Sequence, residues 1–103
     1  MKKDEILNAL ESRLPPQTMH GVLDDFAAGN QFLERTLVAL KSFLNDYVEL
    51  PPKKEVMESF EGIADSLLDM MPITAFTRKF LKGSSAIAAE QMYDMVSALR
   101  KCN

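Results

Sequence analysis

Several residue types that build catalytic or metal sites are scarce in this chain. Its 103 residues include one cysteine, one histidine, four glycines and no tryptophan. A single cysteine excludes an internal disulfide, and no cluster of cysteine and histidine has zinc-ligand spacing. His20 has no partner for metal binding or proton transfer near it in the sequence, so we interpret it as a surface or capping histidine. We therefore expect no metal, no cofactor and no enzymatic activity.

Long apolar runs and an excess of positive charge are also missing. No apolar run approaches the roughly 20 residues that cross a bilayer, so we expect no membrane partner. The net charge of −3 gives no overall attraction to nucleic acid or to an anionic membrane. Cys102 is the only thiol, which leads us to expect a reducing, cytoplasmic setting.

The remaining composition is that of an ordinary globular domain. Apolar residues make up 47% of the chain and charged residues 26%, which is enough apolar surface to offset chain entropy. No segment alternates apolar and polar residues in the way that a half-buried strand does. The sequence predicts one domain over residues 1–103, an all-α compact bundle of five to six short helices.

The stretch from Gln31 to Leu50 predicts the central helix of that bundle. Its apolar seam recurs at spacings of four and three, the helical period: Leu33, Leu37, Leu40, Leu44 and Tyr47. Further apolar residues flank the seam, so about half of the circumference is apolar. An apolar surface over half of the circumference indicates that this helix contacts two or more neighbouring helices. Asn30 is a good N-cap, and Pro51-Pro52 is expected to end the helix.

Prolines and glycines divide the rest of the chain into further predicted helices. A first helix is expected over about 5–14, and a second from Pro16 to a C-cap at Gly29. A fourth is expected over about 53–71. Gly83 should then close a short fifth helix over 74–82, with Ser84 or Ser85 capping a sixth.

Acidic residues follow one ridge of the predicted fourth helix, with no base between them. Like charges at this spacing weaken an isolated helix slightly, so the apolar face must hold it. A solvated outer face would explain the ridge. The functional hypothesis is a non-enzymatic interaction module, an adaptor, inhibitor or immunity/antitoxin-like protein, that docks a basic protein partner there. The predicted contact residues are Glu58, Glu61, Asp65, Asp69, Met70 and Met71.

Basic residues among aromatic ones directly follow this ridge and give an alternative hypothesis. A nucleic-acid-associated regulatory protein would use the basic 78–82 segment and the end of the last helix. Its contacts would be Arg78, Lys79, Lys82, Arg100 and Lys101. Three basic residues make a small contact area, and the carboxylates of Glu90 and Asp94 would repel phosphate. We therefore do not expect nucleic acid as the main partner. Phe76 and Phe80 are interpreted as core residues. An enzyme with an unmarked carboxylate site would need one pocket that brings together two acids with raised pKa values.

Methionines concentrate on the predicted fourth and last helices. They are Met57, Met70, Met71, Met92 and Met95. Methionine fills irregular cores, which is the favoured interpretation, and it also lines adaptable grooves. An open groove between these two helices would accept an amphipathic helix of another protein, or of a second copy in a homodimer.

Overall fold

Four helices are present in the part of the chain that the computed structural model describes, residues 3–15, 25–47 and 49–101. They are α1 (Lys3–Ser12), α2 (Asp25–Asn45), α3 (Lys53–Asp69) and α4 (Ala75–Lys101). Because these residues include no strand, the predicted all-α class is confirmed. None of the described helices is long and apolar enough to cross a membrane.

The expected five to six helices are wrong, because the predicted fifth and sixth helices are one. α4 continues through Gly83. A buried face passes along both sides of this glycine, with Leu81, Ser85, Ala89 and Tyr93 at successive intervals of four. Packing on that face offsets the roughly 1 kcal/mol that glycine costs a helix interior relative to alanine. The predicted cap at Ser84 or Ser85 is therefore wrong too.

The start of α2 also overturns two predicted caps. The helix begins at Asp25, so Gly29 and Asn30 are interior positions. Gly29 is buried, and a Cβ atom there would lie 3.1 Å from Cδ2 of Leu81. This glycine allows α2 and α4 to approach closely. The predicted second helix lies mostly outside the described residues, since 16–24 are not described, and its last residues belong to α2.

The end of α2 comes at Asn45, five residues before the predicted end at Leu50. A side chain from α4 satisfies a carbonyl there: Nη2 of Arg100 donates to the backbone oxygen of Leu44 at 2.5 Å. Because that bond compensates one open carbonyl of the last turn, the chain can leave the helix early. The double proline then precedes α3, and Pro52 is its N-cap residue.

The core lies between α2 and α3, each of which contacts the other three helices. The 31–50 stretch was predicted to be the centre of the domain, and in the structure α2 and α3 occupy the centre together. α1 packs on these two helices through Ile6 and Leu10, and α4 packs on their other side. The largest fully buried residues of α2 and α3 are Phe32, Leu40, Phe43, Leu44, Val56, Phe60 and Leu68.

Candidate functional site

The predicted acidic ridge lies on α3, and its carboxylates are partly paired. Lys3 reaches Glu58 at 3.5 Å, and Lys82 of α4 reaches Asp65 at 3.2 Å. Glu61 and Asp69 are exposed and make no ion pair with any residue that the structure describes. Exposed pairs contribute about 0–1 kcal/mol to stability, but they halve the uncompensated charge of the ridge.

Two arginines of the alternative, nucleic-acid set bind backbone carbonyls instead of facing solvent freely. Nε of Arg78 donates to the oxygen of Leu68 at 3.2 Å, and its Nη2 donates to that of Met71 at 3.5 Å. Arg78 therefore caps the C-terminal end of α3, as Arg100 caps that of α2. Both guanidinium groups complement the negative end of a neighbouring helix dipole. Of the other predicted contacts, Lys79, Lys82 and Lys101 are exposed.

The acidic ridge and the basic segment meet in one groove between α3 and α4. The groove has a volume of about 450 Å³ and is lined by Asp65, Leu68, Asp69, Ala75, Arg78, Lys79 and Lys82. The two predicted sites are therefore neighbours, and opposite charges face each other across the groove. Their fields offset one another, so this surface is neither a strong cation site nor a strong anion site.

The methionines divide between the core and the surface. Met57, Met71 and Met92 are half-buried against the core, which confirms the core interpretation for these three, whereas Met70 and Met95 are exposed. The groove between α3 and α4 has a charged lining instead of a methionine lining. Met70 and Met71 do border a cavity near Phe32, but its volume of about 100 Å³ is small. Drug-sized ligands occupy about 300–1,000 Å³.

The outer stripe of α4, defined here as Phe76, Phe80, Gly83 and Ile87, is the feature that sequence reasoning missed. Phe76 is 81% exposed, Phe80 62% and Ile87 61%. At 100° per residue, the four positions fall within about 60° of one another. They lie opposite the buried face that includes Ser85. The interpretation of Phe76 and Phe80 as core residues is therefore wrong.

Small residues on the inner face of α4 explain why the large ones are outside. Ser85 and Ala89 are buried, and both are too small to hold neighbouring helices apart. α4 therefore lies close to α2 and α3, and the space between the helices has no room for a phenylalanine. Small residues at a spacing of four, with Ile87 between them, are the sequence signal that indicates this inner face.

One ion cluster fixes α4 against the start of α3. Nζ of Lys53 lies 2.9 Å from Asp94 and 3.1 Å from Glu90. Hydrogen bonds to Asp94 and Glu90 raise the pKa of Lys53 above its ordinary value of 10.5. Beside it, the hydroxyl of Tyr93 donates to the oxygen of Pro51 at 2.5 Å, and burial raises the pKa of this phenol. These contacts join α4 to Pro51 and to the start of α3.

The residues that the structure describes contain no cluster of metal ligands. No group of three or more histidine, cysteine, aspartate or glutamate residues there is placed to hold an ion. His20 and Cys102 lie outside the described residues, so their predicted roles stay predictions. The described surface offers contact area: the outer stripe of α4 lies beside the charge-balanced groove, and Met95 and Leu99, nearer the end of α4, are exposed as well.

Comparison with known proteins gives no match: no family model matches the chain, and no curated protein or solved structure is significantly similar to it.

Proposed function

We propose that this chain is a non-enzymatic protein-interaction module and that the outer stripe of α4 is its contact surface. One observation carries the proposal. Three large apolar side chains, 81%, 62% and 61% exposed, stand in a line on one helix. Single exposed apolar residues are ordinary on protein surfaces, but a contiguous apolar patch marks an interaction site.

The energetics of the stripe favour a protein partner. Covering one exposed phenylalanine or isoleucine contributes about 1.5–3 kcal/mol. The stripe offers three such side chains on a rigid helix, so little conformational entropy is lost on binding. Aromatic side chains are also enriched at the centres of protein interfaces. This surface replaces the acidic ridge as the centre of the proposed contact.

The acidic ridge and Met70 become the rim of that contact. Met70 is 72% exposed at the end of α3, and Glu61 and Asp69 lie on the same helix. An interface typically surrounds its apolar centre with polar groups that keep some contact with water. A basic partner would gain from these unpaired carboxylates, but the apolar stripe supplies the larger part of the free energy.

Nucleic-acid binding remains the less favoured function. Arg78 and Arg100 are already bonded to backbone carbonyls, so three lysines are left from the five predicted contacts. Each phosphate contact adds to the salt dependence of binding. Lys79 and Lys82 share the groove with Asp65 and Asp69, and Lys101 lies at the other end of α4, so the three lysines make a weak electrostatic site.

A photo-reactive phenylalanine analogue tests the contact surface directly. Benzoylphenylalanine is placed at Phe80 on the outer stripe and, as the matched control, at Glu61 on the exposed acidic ridge. After irradiation in the native cells, we expect a protein adduct at position 80 that resists nuclease, and a weaker adduct at position 61, because the ridge forms only the rim of the contact. Adducts mainly at position 61 would return the site to the ridge. No adduct at position 80, or one that nuclease removes, would contradict the proposal.

A further inference from the structure

The outer stripe of α4 has the same spacing in both directions. Phe76, Phe80, Gly83 and Ile87 are separated by four, three and four residues. When two such helices lie antiparallel, Phe80 of each faces Gly83 of the other, and Phe76 of each faces Ile87 of the other. Alternating spacings of four and three also keep one seam facing a partner helix. The stripe is therefore complementary to itself.

We propose that the partner of this stripe is a second copy of the chain, bound with the two α4 helices antiparallel about a two-fold axis between Leu81 and Lys82. This inference rests on the proposed function, because it names the occupant of the same surface. A two-fold interface uses one patch twice, so each contact forms in duplicate. A stripe with a reversible spacing meets that requirement without any change in the fold.

Gly83 is the recess that each Phe80 ring fills. A Cβ atom at Gly83 would meet nothing within 4 Å, so the helix surface is open there. Phe80, one turn earlier, is a large exposed ring. A large side chain facing a glycine lets two helices approach closely, as at other helix crossings. In the same way, the smaller Ile87 faces the ring of Phe76.

Charge selects the antiparallel direction. α4 starts at Ala75, and its first turns carry Arg78, Lys79 and Lys82, while Glu90 and Asp94 follow after the stripe. Arg78 and Lys82 point to α3, but Lys79, Glu90 and Asp94 lie near the stripe at 100° per residue. In a parallel pair each of these three would lie near its own copy, and Gly83 would face Gly83 across a void. In the antiparallel pair, Glu90 lies beside the first turn of the other α4. A carboxylate is stabilised there by the positive end of the helix dipole.

The size of the stripe predicts a weak dimer. The eleven-residue step from Phe76 to Ile87 spans about 16 Å along the helix axis. A standard stable interface buries about 800 Å² on each partner. Two aromatic rings and one isoleucine per copy cover less than this, so we expect a dissociation constant of about 1–100 µM.

Sedimentation equilibrium over about 1–500 µM tests the second copy. The wild-type chain should change from its monomer mass of 11.6 kDa to twice that value. The decisive variant is Gly83→Leu, which fills the recess. It adds apolar surface and removes a glycine from a helix, so non-specific association would strengthen and folding would improve. The proposal expects the opposite for association: the dissociation constant should rise at least tenfold.

Disulfide trapping tests the direction of the two helices. In a Cys102→Ser background, chains with Phe80→Cys are mixed with chains with Gly83→Cys and oxidised. An antiparallel pair should give mainly the mixed 80–83 disulfide, whereas a parallel pair would give 80–80 and 83–83 disulfides. Predominance of the latter would overturn the proposed geometry.

Failure of the dimer and failure of the contact surface give different results. A chain that stays monomeric at every concentration overturns the second copy. If position 80 still forms an adduct with another protein, the contact surface stands. A dimer that tolerates Gly83→Leu overturns the antiparallel fit, and Phe80→Glu then tells whether the stripe takes part at all. If Gly83→Leu does not fold, Phe80→Glu replaces it as the deciding variant.

Discussion

The two faces of α4 differ from what residue size alone would suggest, because the inner face has two small residues between Leu81 and Tyr93. The inner face buries Ser85 and Ala89, whereas the outer face exposes Phe76, Phe80 and Ile87. Burying one phenylalanine would stabilise the fold by about 1.5–3 kcal/mol. Leaving two phenylalanines exposed therefore gives up a sizeable stabilising free energy. The close approach of α2 and α3 limits the size of the side chains on the inner face. Stability does not explain the outer face, and the proposed contact with another protein would account for it.

The neighbouring helices show why the inner face stays small. α2 and α3 fill the core with Phe32, Phe43 and Phe60, each fully buried or nearly so. α2 also presents Gly29 to Leu81 of α4, where even a Cβ atom would be tight at 3.1 Å. The core is therefore closed by close helix approach, and additional volume from α4 has no place in it.

The largest expected effect is the difference between a charge placed on the inner face of α4 and the same charge placed on its outer face. Ala89→Asp introduces an unpaired carboxylate at a fully buried position, which costs several kcal/mol or shifts the group to its neutral form. It should leave the chain unfolded or strongly destabilised in urea titrations followed by circular dichroism. Ile87→Asp, two residues away and exposed, should stay within about 0.5 kcal/mol of wild type. Equal effects at both positions would contradict the assignment of the faces.

Two of the helical glycines, Gly29 and Gly83, sharpen the same comparison. Gly29→Leu must displace Leu81, so overpacking should lower the free energy of unfolding by about 1–3 kcal/mol. Gly83→Ala meets open space, so it should raise that free energy by up to about 1 kcal/mol through helix propensity. Thermal and urea unfolding of both variants check this. A destabilising Gly83→Ala would mean that α4 is interrupted at Gly83, as the sequence first indicated.

A smaller effect separates Arg78 from its neighbour Lys79. Arg78→Met removes the donor to the carbonyls of Leu68 and Met71, and hydrogen bonds from charged groups contribute about 1.5–3 kcal/mol. Partial exposure places the expected loss near the lower end of that range. Lys79→Met is the control, because Lys79 is exposed on the same turn and should change stability by less than about 0.5 kcal/mol. If Lys79→Met were the more damaging change, the capping role of Arg78 would be wrong.

The smallest expected effect is a loss of stability at alkaline pH. The folded chain raises the pKa of Lys53 above 10.5, through Asp94 and Glu90, and the pKa of Tyr93 above 10.0, through burial. Raised values mean that the folded state holds these protons more tightly than the unfolded state. The resulting stability is complete below about pH 10 and is lost as pH rises through the folded pKa values.

Urea midpoints between about pH 8 and pH 11.5 measure this loss. The double variant Lys53→Met/Tyr93→Phe should be less stable than wild type near neutral pH, and its stability should fall less steeply above about pH 10. A double variant with the wild-type slope would show that neither group is responsible.

The helical class and most of the buried face of α3 could be predicted from the sequence, because both depend on periodicity along one helix. The spacing of four and three predicted one buried seam of Val56, Phe60, Ile63, Leu67 and Met70. The first four are buried, whereas Met70, at the end of the helix, is 72% exposed. The boundaries at Gly29 and Gly83 were not predictable in this way. A glycine ends a helix by default, and only a neighbour such as Leu81 decides that it serves for close approach instead.

The site was less predictable than the fold for the same reason. The acidic and basic groups were recognised separately, yet their meeting in one groove depends on how α3 and α4 pack. Carbonyl partners for Arg78 and Arg100 come from residues distant along the chain or across a turn. Exposure of Phe76 and Phe80 follows from the small inner face, which a search for large apolar residues overlooks.

Two phenylalanine truncations, compared at low protein concentration, test the central claim most directly. Phe60→Ala removes a ring that is 2% exposed, and Phe80→Ala removes one that is 62% exposed. If the outer stripe is free of the core, Phe60→Ala should lose about 3–5 kcal/mol of unfolding free energy in urea, and Phe80→Ala less than about 0.5 kcal/mol. A loss at Phe80 comparable to that at Phe60 would place this ring in the core and contradict the account of α4.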